Sequence, residues 1–149
     1  MNITRNFTWE EAQVTSTGLP NAPTTDEERK RIVNTAYEME IVRAILGRKA
    51  IRVSSWFRGP AVNKKVGGSP TSEHAIGAAV DFTCPGYGTP FEVCKTILAL
   101  AHIVQFNQLI WERKGNSEWV HISFPPPGQL GKKEVLSFLN GKYTKGLVQ

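Results

Sequence analysis

Two short motifs constrain this chain more than any other feature: Ser72-Glu73-His74-Ala75-Ile76-Gly77-Ala78-Ala79-Val80-Asp81 and Glu118-Trp119-Val120-His121. Together they supply two imidazoles and a carboxylate. Such a three-ligand set holds a zinc ion and leaves a fourth position open for water. A second carboxylate, Glu118, stands three residues before the last histidine, where it could take a proton from that water. These groups are the minimum set for metal-assisted hydrolysis.

The spacing places them on strands. The run 77–83 reads as a short buried strand, small at first and β-prone later. Side chains alternate along a strand, so Ala79, Asp81 and Thr83 share a face. His74 lies just before this run, where a turn on Gly77 brings the imidazole back toward Asp81. The run 119–124 is a second strand, with Trp119, His121 and Ser123 on one face. Glu118 opens it, close enough in sequence to share a pocket with His121. A helical HExxH motif reaches the same chemistry by one-turn spacing. The chain has none, so the site is expected on a sheet. The plain alternative is that these histidines are structural or solvated. Against it, His74 and His121 are two of only three histidines, and a carboxylate in a buried strand needs a partner.

The remaining pattern alternates helices and strands. Thr8 and Glu11 form a capping box at a short helix start. A Gly/Pro/Thr-rich loop follows over residues 16–24. Thr25 and Glu28 form a second capping box opening a long helix. Ile32, Ala36, Met39, Val42 and Leu46 recur on one face of it, and Gly47 is its natural stop. This stripe reads as core. A strand is expected over 51–55, then a turn or short helix near Pro60. Thr89-Pro90 opens another helix, with proline at its first position and Val93, Ile97, Leu100 and Val104 on its buried face. His102 is expected on this helix, structural or exposed. Two strands around Lys114-Gly115-Asn116 read as a hairpin. A short final helix is expected over 135–139, with fraying over 142–149.

Size and charge narrow the function classes. The chain has 149 residues, 40% of them hydrophobic, enough for one core without staples. A single domain over 1–149 is expected. No apolar run reaches the length of a membrane span, and no apolar signal-peptide core opens the N-terminus. Cys84 and Cys94, the only cysteines, lack the paired spacing of a structural zinc site and are expected as free, buried thiols. The net charge is +5. The basic residues are dispersed, with no nucleic-acid motif, so a nucleic-acid partner is not expected. A polyanionic cell wall is an equally good electrostatic partner, and a simply soluble basic surface is the plain alternative.

The two motifs, read as Ser-x-His-x-x-Gly-x-Ala-x-Asp and Glu-x-x-His, resemble those of the zinc D-Ala-D-Ala carboxypeptidases and dipeptidases. Phage peptidoglycan peptidases belong to the same superfamily, and the Hedgehog signalling domain shares the fold. Ser72, His74, Gly77, Ala79, Asp81, Glu118 and His121 show no departure from the pattern. Upstream, Ser55-Trp56-Phe57-Arg58 resembles the family's strand ending in Ser-x-x-Arg, and the run 60–70 is similar to its connection into the first motif. The resemblance covers roughly residues 5–125. It implies an α+β fold: a small antiparallel sheet carrying the zinc site, flanked by helices. It implies His74, Asp81 and His121 as zinc ligands, one zinc per chain. Glu118 would be the general base, Arg58 would hold the substrate carbonyl and the developing oxyanion, and Ser72 would touch the substrate or support a ligand.

The function expected is therefore zinc-dependent hydrolysis of amide bonds next to D-alanine in peptidoglycan stem peptides, by a D,D-endopeptidase. A monomer made without a signal peptide and acting at the bacterial wall fits a phage endolysin or prophage bacteriolytic enzyme. A D,D-carboxypeptidase is the alternative within the enzyme class. A catalytically silent zinc-binding module is the alternative outside it.

Overall fold

Short-range hydrogen bonds fix where the helices begin. Thr8, Thr25 and Thr89 each accept from the backbone N–H three residues on, and Glu11, Glu28 and Glu92 each bond back to the cap. These boxes open α1 (Trp9–Ala12), α2 (Asp26–Ile45) and α4 (Pro90–Ala99). Between them α3 (Pro60–Lys65) starts on proline. The computed structural model describes residues 1–149. On α2, Ile32, Ala36, Met39 and Val42 are fully buried, as is Leu46 just past its end. Fully burying a large aliphatic side chain contributes about 1.5–3 kcal/mol, so this stripe, more than helix propensity, seats the helix.

A two-stranded hairpin, β1 (Asn2–Thr4) with β2 (Phe7–Thr8), lies apart from the main sheet. The main sheet has six strands: β3 (Arg52–Ser55), β4 (Ala79–Thr83), β5 (Gln108–Lys114), β6 (Ser117–Ser123), β7 (Glu134–Leu139) and β8 (Lys142–Lys145). Their order is β3-β4-β6-β5-β7-β8. All neighbours are antiparallel except β5 and β7, which run parallel. The α+β architecture is as expected, and the sheet is larger than expected and mixed. One face supplies Val80, Phe82, Leu109, Trp111, Val120 and Ile122 to the hydrophobic core. The other face carries the candidate site.

Two expectations for the C-terminus are corrected. Residues 135–139 form a strand, because they pair in parallel along β5 from Gln108 to Arg113. Lys142–Lys145 is the next strand instead of a frayed end. The turn between them is Asn140-Gly141, with φ of +50° and +85°. Asn-Gly accommodates the left-handed conformation that a two-residue hairpin requires. That dipeptide was the local signal for this hairpin. His102 lies exposed in the turn after α4.

Candidate metal centre

Register brings the first two groups together. Asp81 on β4 stands directly opposite His121 on β6, and opposed side chains on one face are near neighbours. His121 Nδ1 lies 2.9 Å from Asp81 Oδ1. His74 arrives by a different route. The Ser72 hydroxyl accepts the His74 backbone N–H at 3.2 Å, capping a 3-10 turn over Glu73–Ile76. Gly77 then reverses the chain at φ +79°. His74 Nε2 ends 3.1 Å from Asp81 Oδ1.

The core holds that reversal in place. The Gly77 carbonyl accepts from Thr35 Oγ1 of α2 at 2.8 Å and from Trp56 Nε1 at 3.1 Å. A Cβ at Gly77 would come within 2.6 Å of Ile32 Cγ1. Both the backbone conformation and the close approach therefore demand glycine.

The donor set fits a zinc ion. His74 Nδ1 is 2.7 Å from the Trp56 carbonyl oxygen. A carbonyl only accepts, so Nδ1 carries the proton and Nε2 presents a lone pair. That lone pair faces a carboxylate oxygen, an arrangement that calls for a proton or a cation between them. One atom from each of His74, Asp81 and His121 lies within 4.8 Å of the other two. Two neutral-imidazole positions and one carboxylate match the three protein ligands of an open zinc site. Burial opposes ionisation of Asp81, but the facing His74 and His121 outweigh it and hold the carboxyl well below its usual range. Burial depresses His74. Burial also works against charge on His121, but its hydrogen bond to Asp81 and that residue's charge raise it.

The three side chains open into a cleft of about 670 Å³. Arg58 lines it. Its backbone N–H donates to the His74 carbonyl at 2.9 Å, its Nε to Ser55 Oγ at 3.1 Å, and its Nη2 lies 3.4 Å from Asp81 Oδ2. Ser72 also lines the cleft.

Glu118 is not brought to this site, which corrects the expectation that it would share a pocket with His121. β6 is a regular strand paired residue by residue with β5. Residues an odd number apart on a strand point to opposite faces. Glu118 thus shares its face with Val120 and Ile122, and its Oε1 accepts from Trp111 Nε1 at 2.9 Å. It borders a separate surface depression near Arg52 and Thr83. The carboxylate on the His121 side is Glu112 of β5, paired with Trp119. Its Oε1 is 3.9 Å from His121 Nδ1. Burial and the nearby Asp81 push it up to about 7. The expected turn at Lys114-Gly115-Asn116 would set Glu112 opposite Glu118; the structure closes the hairpin on Gly115-Asn116 alone, with Lys114 paired to Ser117, and this sets Glu112 opposite Trp119. A further carboxylate, Glu73, accepts from Ser123 Oγ at 2.7 Å and Asn107 Nδ2 at 3.1 Å.

Cys84 and Cys94 are free and buried, and neither belongs to the group of His74, Asp81 and His121. Burial raises both thiols above their ordinary value, which disfavours the nucleophilic thiolate. No helix is long and apolar enough to cross a membrane.

No curated protein matches the chain. The Peptidase M15 family model matches residues 4–123. That stretch contains every element converging on Asp81, from the Trp56 carbonyl to His121, and on this match the chain belongs to the M15 peptidases, a zinc-dependent family.

Proposed function

We propose that this chain is a zinc-dependent peptidoglycan peptidase that hydrolyses amide bonds next to D-alanine in stem peptides or their cross-links, as a phage endolysin does. The observation that carries the reading is the convergence of His74, Asp81 and His121 within an open cleft. These three residues would hold zinc. Bound there, zinc polarises the scissile carbonyl and makes a water nucleophilic near neutral pH. The chain's own groups position the rest. Trp56 fixes the His74 ring through its carbonyl. Arg58, tethered by Ser55 beside Asp81, offers a rigid donor fork to the carbonyl oxygen as negative charge develops on it. Ser72 supports His74 by capping its turn.

The shape of the cleft favours an internal bond over a terminal one. A second depression of about 640 Å³ adjoins it, sharing Thr71, Glu73 and Gln108 and adding Asn107, Lys132 and Glu134. A polymer can continue along such a groove. Its one cation, Lys132, shares the space with Glu73 and Glu134, which is poor chemistry for gripping a C-terminal carboxylate.

The test uses purified sacculi, zinc-loaded protein and mass spectrometry of the soluble products. Cross-linked dimers should become monomers, and a chelator should stop the reaction. Release of D-alanine from pentapeptides with dimers left intact would make the protein a D,D-carboxypeptidase. No hydrolysis at full zinc occupancy would leave a silent zinc-binding module. Hydrolysis indifferent to chelator would remove zinc from the mechanism.

A further inference from the structure

We propose that Glu112, on β5, is the catalytic proton carrier of this site, in place of the glutamate of the Glu-x-x-His motif. The inference rests on the zinc-peptidase reading above. Three glutamates lie near the centre, and their surroundings separate them. Glu118 points to the opposite face of β6 and accepts the Trp111 indole N–H. Glu73 has both oxygens occupied, one by Ser123 Oγ and the other by Asn107 Nδ2. Glu112 lines the cleft with Arg58, Asp81 and His121. Its one ion-pair contact is His121 Nδ1 at 3.9 Å, beyond hydrogen-bond length. Its lone pairs are thus free for a molecule bound in the cleft. The Glu112 side chain is only 16% exposed, and burying a carboxylate without a hydrogen-bond partner is costly, so a ligand in the cleft that satisfies it would recover that cost.

The step balances simply. Glu112 takes a proton from the attacking water as the oxygen–carbon bond forms at the scissile carbonyl. The carbon–nitrogen bond then breaks. The leaving nitrogen takes the proton back from the Glu112 carboxyl, giving a carboxylic acid and an amine and restoring the Glu112 carboxylate. A base in this role must reach its proton directly or through one water. Glu112 is on the same face as His121, one strand over and two residues along. Glu118 would have to swing through the sheet.

The experiment compares Glu112→Gln with Glu118→Gln in the zinc-loaded protein. Three quantities are read: zinc per chain, affinity for acetohydroxamate, and hydrolysis of cross-linked muropeptides. Acetohydroxamate is a useful probe because its hydroxyl must give up a proton to a neighbouring base on binding, whatever the natural substrate. Glu112→Gln should keep its zinc and lose about 10²–10⁴-fold in turnover. It should bind the hydroxamate about tenfold or more weakly, as expected for losing a charge-assisted hydrogen bond. Glu118→Gln should match the parent in all three. Parent-like hydroxamate binding by Glu112→Gln, or loss of its zinc, overturns the proposal, as does a Glu118→Gln protein with the defects expected of Glu112→Gln. If the parent cleaves no muropeptide, the substrate reading fails by itself. The hydroxamate comparison then still decides whether Glu112 is the base.

Discussion

The two motifs treat sequence distance in opposite ways. His74 and Asp81 are seven residues apart and meet, because a capped 3-10 turn and a left-handed glycine fold the chain back on itself. Glu118 and His121 are three apart and separate, because an unbroken strand alternates its faces. In the first motif the irregular backbone makes the site. In the second the regular backbone assigns one residue to the cleft and the other to the core side. Proximity in sequence therefore predicts proximity in space only once the local backbone is known. The ligands of this centre are joined across strands and turns, never along one.

Asp81 is where both motifs meet, so its loss should do the most damage. Asp81→Ala should abolish zinc retention and all hydrolysis, read by elemental analysis of protein purified without chelator. His121→Ala should do the same. Full zinc occupancy in either variant would break the assignment of a shared centre.

Arg58 tests the first motif's surroundings. Arg58→Ala should keep zinc and lose about 10²–10³-fold in kcat, the usual effect of removing one oxyanion donor. Arg58→Lys keeps the charge and loses the fork, so it should also be impaired. Near-normal turnover in Arg58→Ala would place the guanidinium outside the reaction.

Gly77 tests the reversal itself. Gly77→Ala adds a Cβ at φ +79° that would press on Ile32. Strain and overpacking together should lower stability by about 2–4 kcal/mol, measured by denaturant unfolding, and zinc affinity should fall with it. An unchanged midpoint would mean that the turn relaxes freely and does not set the His74 geometry.

Glu118 should show the smallest effect. Glu118→Gln alters one hydrogen bond to Trp111, so unfolding should shift by only about 0.5–1.5 kcal/mol. A larger change, or a lost metal, would return Glu118 to the centre and erase the contrast between the motifs.

Much of the molecule was legible because it rests on short-range interactions. Thr25 with Glu28, and Thr89-Pro90 with Glu92, mark helix starts through bonds spanning three residues. The α2 stripe shows in its periodicity, and all five of its members are buried. Gly77 was identifiable as the pivot of the first motif. The C-terminal hairpin departs from the expected helix and frayed end because β7 joins the sheet by a parallel pairing to β5, between residues 26 apart in the chain. That pairing also carries Phe138 and Tyr143, beyond the family-matched residues, to the wall of the cleft.

The sequence by itself determined the donor types, the helix caps, the core stripe and the glycine that turns the chain toward Asp81, since each follows from local chemistry. Only the tertiary structure decided that Glu112, and not Glu118, enters the cleft. That choice depends on strand register, and register is set by long-range pairing and core burial. Because side chains alternate along β6, burying Val120 and Ile122 sends His121 to the cleft and Glu118 away from it, and leaves Glu112 as the carboxylate beside the candidate metal ligands.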